Sequence, residues 1–172
     1  MTNEKRVAPV LNSQLPIYFS SFTTQTMLQL IPIAQKIEDN LQFSAHPDCR
    51  DVLYATIEYY KVIGFNTPWI GYFAALGDQL AGSAGYKGKP SGNKIEIAYG
   101  TFPRFQKQGV GTAICKELVL LALQTDPGLM ITARTLRENN YSTRILLKNN
   151  FVLLGTVWDK DDGDVWEWQY KK

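Results

Sequence analysis

The stretch Phe105-Gln106-Lys107-Gln108-Gly109-Val110-Gly111-Thr112-Ala113 decides how this chain is interpreted. It follows the β-like run 95–99 and opens an apolar helical run over 114–123. A strand, a turn with two glycines and a helix start leave backbone N–H groups unpaired, and the helix dipole adds partial positive charge there. Gly109 and Gly111 carry no Cβ, so a ligand can approach the backbone closely. The stretch therefore predicts a site for a pyrophosphate-bearing ligand.

Three known phosphate-binding patterns can be compared with this turn. A P-loop requires G-x-x-x-x-G-K-[ST], but around Gly88-Lys89 the sequence has Ser83 in place of the first glycine and Pro90 in place of the hydroxyl residue. A dinucleotide-binding G-x-G-x-x-G/A turn requires a third small residue, and Ile114 stands there. The remaining pattern is [Q/R]-x-x-G-x-[G/A]. It is met by Gln106, Gly109 and Gly111.

This last pattern resembles motif A of the GNAT N-acetyltransferases, in which the turn binds the pyrophosphate of acetyl-coenzyme A. Downstream, the run from Glu138 to Phe151 resembles the family's motif B, E-N-x-x-S-x-R-x-L-x-K-x-G-F. Asn150 replaces the motif's glycine, and asparagine also tolerates the left-handed conformation that ends a helix. The two matches with their flanks cover roughly residues 93–155. Motif B is most similar to the branch that acetylates ribosomal-protein N-termini.

The resemblance implies an α+β fold with a mixed, mostly antiparallel sheet and helices on both faces. In this fold the fourth and fifth strands splay apart, and the pantetheine arm of acetyl-coenzyme A enters the gap. The fourth strand would be Lys94 to Phe102 and the fifth Leu129 to Thr135. We therefore expect a GNAT-like sheet with the cofactor at the splay.

The first part of the chain is interpreted from its periodicity. Residues 1–16 show no clear period and are expected to be partly disordered or to hold a short strand. Apolar spacing from Thr26 to Leu41 predicts a helix that Pro32 breaks or starts. A second helix is predicted to begin at Asp51 and to end at Gly64.

Two hairpins are predicted from alternation and turn residues. Trp69 to Leu76 and Leu80 to Tyr86 are strand-like runs separated by the turn signal Gly77-Asp78. The second hairpin turns at the acidic stretch 159–164 and returns over 165–170. That stretch lacks the glycine and closing glutamate positions of an EF-hand loop, so we expect an exposed turn and predict no metal site.

The C-terminal tryptophans carry a prediction about assembly. Trp166 and Trp168 alternate onto one strand face, which either covers core helices or faces outward. On an outer face, with Trp158 nearby, they would form an apolar patch of the kind found at interfaces. Because relatives in the resembled family often pair through this region, we predict a homodimer.

The resemblance assigns acetyl-coenzyme A, as co-substrate, to three segments. The pantetheine arm would pair with the fourth strand around Ala98, Tyr99 and Thr101. Asn139 matches the motif B asparagine that contacts the arm, with a helix N-cap as the alternative role. Lys148 and Arg144 would approach the nucleotide phosphate, unless they are solvated helix charges. The residues predicted to hold the pyrophosphate are Gln106, Lys107, Gln108, Gly109, Val110, Gly111 and Thr112.

Acetyl transfer to an amine requires a proton acceptor for the amine and a proton donor for the leaving thiolate. Glu96 is the predicted base, because its side chain points to the face opposite Ile95 and Ile97; the alternative is an exposed or salt-bridged strand glutamate. The resemblance to the ribosomal-protein branch makes Ser142 the predicted acid. Other branches use a tyrosine where this chain has Leu146, so the acid stays open.

Composition narrows the class of protein. Residues 1–172 are 45% hydrophobic and 20% charged, and no repeat or linker divides them, which predicts one globular domain. A net charge of +2 indicates no nucleic-acid partner, and no apolar run reaches the ~20 residues of a membrane span. Without a signal-peptide pattern, and with Cys49 and Cys115 in apolar contexts, a cytoplasmic location is expected. The resemblance implies an acetyl-coenzyme A-dependent N-acetyltransferase whose acceptor is a small-molecule amine or a protein N-terminus. The alternative function is a non-catalytic module that binds coenzyme A or acyl-coenzyme A.

Overall fold

The computed structural model describes residues 27–172, so the prediction for residues 1–16 lies outside the described part. Two short 3-10 turns, Ile37–Asn40 and Pro103–Phe105, accompany the regular elements. In chain order these are β1 (Leu28–Pro32), α1 (Leu41–Ser44), α2 (Pro47–Ile63), β2 (Gly71–Leu76), β3 (Gln79–Tyr86), β4 (Lys94–Thr101), α3 (Val110–Thr125), β5 (Met130–Leu136), α4 (Tyr141–Lys148), β6 (Phe151–Asp159) and β7 (Gly163–Tyr170).

The strands form one seven-stranded sheet in the order β1-β2-β3-β4-β5-β7-β6. Every neighbouring pair is antiparallel except β4 and β5, which are parallel. Their pairing covers only Lys94–Ile97 of β4 against Met130–Ala133 of β5. Beyond these residues β4 continues to Thr101 paired only with β3, and β5 continues to Leu136 paired only with β7. The two strands therefore diverge, as the resemblance implies, and the edge of β4 that faces the gap has no strand partner in the described part of the chain.

Helices cover both faces of the sheet. On one face, Tyr86 Oη donates a hydrogen bond to Leu118 O of α3, and a Cβ on Gly82 would meet Ile114 of α3. On the other face, α2 packs on the sheet, where Tyr60 Oη donates to Ile33 O and accepts from the N–H of Gly71. Since successive strand residues alternate between faces, β4 presents Ile95 and Ile97 to the core and Glu96 to the opposite face.

The prediction of a helix over Thr26–Leu41 is wrong. Leu28–Pro32 forms the edge strand β1, which pairs with β2 over its whole length. An edge strand accepts proline because the missing N–H can face away from the sheet. The apolar residues of this segment alternate well enough to pack as a strand, and the short apolar run could not distinguish the two periods.

The second helix begins earlier than its predicted start at Asp51. α2 starts at Pro47, with the extended residue His46 before it. Proline suits the first helical position because its N–H would be unpaired there in any case. His46-Pro47 therefore marks the helix start, and the predicted stop at Gly64 is confirmed by its φ of 80°.

The other turns follow their sequence signals. Gly77 has a φ of 57° in the tight β2–β3 hairpin, as predicted. Asn150 has a φ of 62° directly after α4, which confirms that asparagine takes the left-handed position of the motif B glycine. The N-cap of α4 is Asn140, not Asn139. Its side chain accepts a hydrogen bond from Thr143 N–H, while Thr143 Oγ1 accepts one from Asn140 N–H.

The tryptophans of β7 belong to the core side of the sheet. Trp168 is 3% exposed and its Nε1 donates a 3.0 Å hydrogen bond to Thr135 Oγ1. Trp166 shares its face, with the two rings 6.3 Å apart. Only Trp158 of this group is largely exposed, at 74%. This face of β7 therefore lies against the core, which was one of its two predicted positions, and does not point outward.

Candidate active site

A cavity of about 430 Å³ lies where β4 and β5 diverge. Its walls come from the end of β4, the turn before α3, the first turn of α3 and one side of α4. The lining residues are Tyr99, Gly100, Thr101, Gln106, Lys107, Gly109, Val110, Gly111, Thr112, Tyr141, Ser142, Arg144, Ile145 and Lys148. The glycine turn and motif B, which are separated in sequence, thus face the same space.

The N-terminus of α3 opens into this cavity. Gly109 is its N-cap, with a left-handed φ of 82°, and no side chain within residues 27–172 caps the helix. The first helical hydrogen bond is donated by Ala113 to Gly109 O, so the N–H groups of Val110, Gly111 and Thr112 have no partner inside the helix. A Cβ placed on Gly109 would meet no atom of the described residues within 4 Å, so that part of the chain leaves open space in front of the turn. An anion can therefore approach these donors, and the helix dipole favours it.

Gly111 has a second reason to be glycine. A Cβ there would lie 2.8 Å from Ile145 Cδ1 of α4 and 2.9 Å from Thr101 Oγ1 of β4. The missing side chain lets α4 pack closely against α3 and thus sets the width of the cavity at this end. The two glycines of the motif therefore have different roles: Gly109 leaves space for a ligand, and Gly111 allows the two helices to pack closely.

Three cationic side chains line the same cavity. Lys107 precedes α3 with a left-handed φ of 61°, and Arg144 and Lys148 project one turn apart from α4. The Arg144 guanidinium lies 6.0 Å from the centre of the Tyr141 ring, also at the cavity. Free N–H groups at a helix start, together with three cations, fit a ligand that carries several phosphates.

Most residues predicted for the cofactor surround this cavity, but three do not. Ala98 lines a different cavity. The side chain of Gln108 donates to Arg104 O, outside the cavity lining. Asn139 is exposed and also lies outside the lining. The predicted residues found at the cavity are Tyr99, Thr101, Gln106, Lys107, Gly109, Val110, Gly111, Thr112 and Lys148, together with Ser142.

Sequence reasoning missed Gly100, Tyr141 and Ile145 at the cavity. Tyr141 and Ile145 were recoverable, since they lie three or four residues from Arg144 and Lys148 along the same helix and so share its face. Gly100 carried no signal, because a glycine inside a strand has many explanations. The cavity-facing side of a short helix can thus be deduced once one of its residues is assigned.

Glu96 belongs to a network of ion pairs. It lies on the face of β4 opposite Ile95 and Ile97, as predicted, and its side chain is 14% exposed. Lys87 Nζ lies 2.7 Å from its Oε1 and Arg134 Nε lies 3.4 Å from its Oε2, although neither approach has hydrogen-bond alignment. The carboxylate is therefore held between two cations, beside the gap between the strands.

Arg134 links this network across the sheet. It follows Ala133, the last β5 residue that pairs with β4, so it lies at the point of divergence. Its Nη1 donates a 2.9 Å hydrogen bond to Asp159 Oδ2, and Glu167 lies 3.8 Å from its Nη2. Glu167 also pairs with Lys94 at 2.5 Å. Charges from β4, β5, β6 and β7 thus meet beside the splay and fix the relative positions of the strands there.

Ser142 lies in the first turn of α4 and lines the cavity. Its neighbour Thr143 is buried and occupied by the capping box. Leu146, at the position where other branches have a tyrosine, is fully buried in the core. Of the residues weighed as proton donors in motif B, only Ser142 faces the space between the strands.

Behind the cavity lining, Tyr99 lies next to the buried thiol of Cys115. Burial raises the pKa of the Tyr99 hydroxyl, and it raises the pKa of the neighbouring Cys115 thiol from 9.0 to about 12. Cys115 is 0% exposed, and Cys49 is equally buried. Both cysteines are free and protonated, so neither provides a thiolate nucleophile, in agreement with their interpretation as small buried residues.

A second cavity of about 320 Å³ lies on the opposite face of the sheet, between α2 and strands β2 to β4. It shares Tyr99 and Gly100 with the first cavity. Its other lining residues are Val52, Thr56, Tyr59, Tyr60, Ile63, Gly71, Tyr72, Ser83, Ala84, Gly85, Tyr86, Lys87 and Ala98. The two cavities meet at the free end of β4, so ligands in them can approach each other there.

Several solved structures that share this fold are named as acetyltransferases. The ribosomal L7/L12 alpha-N-protein acetyltransferase RimL has a TM-score of 0.61 and 16% identity over 86% of this chain and 91% of its own. The microcin C7 self-immunity acetyltransferase MccE, in complex with acetyl-CoA and AMP, has a TM-score of 0.60 and 14% identity over 85% and 93%. A spermidine N-acetyltransferase SpeG chimera from Vibrio cholerae and hSSAT has a TM-score of 0.61 and 13% identity over 84% and 95%. At these identities the likeness establishes the fold.

The family is established by sequence. No curated protein matches this chain at a significant level. The sequence profile of the acetyltransferase (GNAT) family, however, matches residues 34–151, which is more than half of the chain and includes both cavities. The protein therefore belongs to the acetyltransferase (GNAT) family.

Proposed function

We propose that this protein is an acetyl-CoA-dependent N-acetyltransferase that acts on a primary amine by direct attack in a ternary complex. The observation that carries the proposal is the cavity between β4 and β5, onto which the uncapped N-terminus of α3 opens. Family membership supports acetyl transfer, and the cations around this cavity support a donor that carries phosphates. The whole chain, 1–172, acts as one domain.

The donor side of the reaction is assigned to the first cavity. Acetyl-CoA supplies the acetyl thioester when bound. The N–H groups of Val110, Gly111 and Thr112 hold its pyrophosphate, with Lys107, Arg144 and Lys148 adding positive charge. The free edge of β4 around Tyr99 and Thr101 offers backbone groups to the pantetheine arm. These contacts hold the reacting carbonyl in one orientation, which lowers the barrier by positioning.

The acceptor side is assigned to the second cavity, since it meets the first at Gly100. The amine nitrogen attacks the thioester carbonyl carbon, the carbon–sulfur bond breaks, and the nitrogen loses one proton while the thiolate gains one. The products are an amide and a free thiol. Glu96 is the proposed proton acceptor, through a water molecule, and Ser142 the proposed donor to the thiolate. The acceptor is a small-molecule amine or a protein N-terminus, the two classes named for the solved relatives.

A homodimer in the cytoplasm is the proposed working state. The tryptophans of β7 do not support it, since Trp168 is core. Support comes instead from the edge strand β6, where Val152, Leu153, Leu154 and Trp158 are 39% to 74% exposed. Light scattering at tens of micromolar protein tests it, and a monomer would refute it. None of the helices within residues 27–172 is long and apolar enough to cross a membrane. We propose no nucleic-acid, membrane or metal partner.

The direct test mixes the protein with acetyl-CoA and a panel of amines and follows the release of free thiol. Turnover that depends on one class of amine, with a matching increase in the mass of that amine by one acetyl group, supports the proposal. Binding of coenzyme A by calorimetry without turnover on any amine would instead favour the non-catalytic acyl-CoA-binding module.

A further inference from the structure

The floor of the second cavity is built from strand residues with small side chains or none, namely Ser83, Gly85, Ala98 and Gly100. Gly85 and Gly100 present no side chain to it, and Gly71 lets α2 close one end, since a Cβ on Gly71 would lie 2.6 Å from Thr56 Cγ2. A Cβ on Gly100 would lie 3.3 Å from Ser83 Oγ. Gly85 pairs with Ala98 and Gly100 pairs with Ser83, so the floor below α2 is nearly flat. A flat surface of this kind accommodates a planar group.

Five of the described lining residues of this cavity are tyrosines. Tyr60 Oη is bonded to Ile33 O and Gly71 N–H, and Tyr72 Oη donates to Pro68 O at 2.6 Å. Burial raises the pKa of both hydroxyls from 10.0 to about 12. These two hydroxyls are thus bonded inside the protein, and the lining has neutral polar side chains only at residues such as Thr56, Tyr59 and Ser83.

Charge at the cavity is already balanced. Among its described lining residues the only side chain charged at neutral pH is Lys87, whose Nζ is paired with Glu96 at 2.7 Å. No aspartate or glutamate is part of the described lining. Glu96, the carboxylate beside Lys87, is already held between Lys87 and Arg134, so a ligand with several positive charges would lose its hydration there without gaining a carboxylate of its own, which is costly. A ligand with a single amine loses less, and an apolar site favours the neutral, nucleophilic form of that amine.

From these features we infer that the acceptor is a primary monoamine carried by a planar apolar body, such as a phenyl or indole ring. The ring lies between α2 and the floor formed by Gly85 and Gly100, and the amine points to Gly100, where the two cavities meet. The inference rests on the proposed function, since it names the substrate class for that same site.

The first experiment compares amines of different charge and shape. Thiol release is measured with 2-phenylethylamine and tryptamine, with spermidine, and with a peptide that has a free N-terminus. The ring-bearing monoamines are expected to have a kcat/KM about tenfold or more above the others. Calorimetry of 2-phenylethylamine with the coenzyme A-saturated protein gives a second measurement that does not depend on turnover, and saturable binding is expected.

The second experiment fills the cavity from α2. Thr56→Phe should weaken 2-phenylethylamine binding about tenfold or more and leave coenzyme A affinity unchanged, because Thr56 lines only the second cavity. Val62→Phe is the matched control. It adds the same ring to the same helix at a residue that is 77% exposed, and should change neither affinity. Thr56→Glu should raise spermidine use relative to 2-phenylethylamine, by supplying the missing carboxylate.

The outcomes separate the two proposals. Thiol release that is fastest with spermidine or the peptide would overturn the acceptor class and leave the transferase proposal intact. Unchanged 2-phenylethylamine binding in a folded Thr56→Phe protein would also overturn it. Coenzyme A binding with no thiol release from any amine would overturn both proposals. If the wild-type protein does not bind coenzyme A at all, the first cavity is not the site of the acetyl donor.

Discussion

The two cavities are built in different ways, although they share the end of β4. The first is formed largely by backbone, at a helix start that lies within one continuous stretch of sequence. The second is formed by residues of α2, β2, β3 and β4 that lie far apart in the chain. Phosphate recognition by N–H groups requires glycines at fixed spacing and therefore leaves a motif. A surface of tyrosines and small strand residues leaves no such motif, so the donor can be recognised in the sequence and the acceptor cannot.

The largest expected effect concerns the backbone-built cavity. Gly109→Glu should lower coenzyme A affinity by at least ~10²-fold, because the carboxylate would lie in the open space before the uncapped N–H groups and repel a phosphate there. Calorimetry with coenzyme A measures the effect. Binding of 2-phenylethylamine should be retained if the two cavities act independently.

Gly92→Glu is the matched control for this substitution. Gly92 also has a left-handed φ, 56°, and open space around it, but it lies in the β3–β4 loop away from the cavity lining. Both substitutions carry the same type of backbone strain. Equal losses of coenzyme A affinity in the two variants would contradict the placement of the pyrophosphate at Gly109.

The next effect concerns the junction of the cavities. If Glu96 accepts the amine proton, Glu96→Gln should lower kcat by ~10²-fold while coenzyme A affinity changes little. Glu167→Gln is the control, since Glu167 is buried to a similar degree, at 13% exposure, and also approaches Arg134, but from β7. Equal reductions in both variants would show that Glu96 acts through the ion-pair network, and wild-type turnover in Glu96→Gln would leave it a salt-bridged strand glutamate.

The success of the sequence reasoning follows the same division. The diverging strands, the turn around Gly109 and the left-handed Asn150 were predicted because local backbone requirements select particular residues. The strand Leu28–Pro32 was mistaken for a helix because its identity depends on pairing with β2, which is remote in sequence. The ion-pair partners of Glu96 likewise could not be predicted from the sequence. Lys87 and Arg134 reach it only through strand neighbours that no local pattern specifies.

A smaller effect tests the charged side of the first cavity. Lys148→Ala should lower coenzyme A affinity about three- to tenfold, since one exposed cation contributes modestly and is screened by salt. The loss should shrink in 0.5 M salt, which calorimetry at two salt concentrations would show. Lys116→Ala is the control, because Lys116 is an exposed lysine of α3 outside the lining. A loss that does not depend on salt would assign Lys148 a packing role in place of an electrostatic one.

The smallest effect concerns the network that fixes the strands beside both cavities. The pKa of Asp159 is lowered from 3.8 to about 2, first because its carboxylate accepts the N–H of Asp161 and then because Arg134 donates to it. Because the pKa is lower in the folded state than in the unfolded state, the charge stabilises the fold at a pH above the unfolded-state pKa, and this contribution is lost as the pH falls from about 4 towards 2.

Asp159→Asn tests this contribution. It keeps an oxygen for the Asp161 N–H but removes the charge, so its urea midpoint should be lower than that of the wild type at pH 7 and should converge with it near pH 2. Asp162→Asn, an exposed change in the same turn, should leave the midpoint unchanged at both pH values. Parallel midpoints of wild type and Asp159→Asn across this range would mean that the charge of Asp159 does not help to hold Arg134 at the splay.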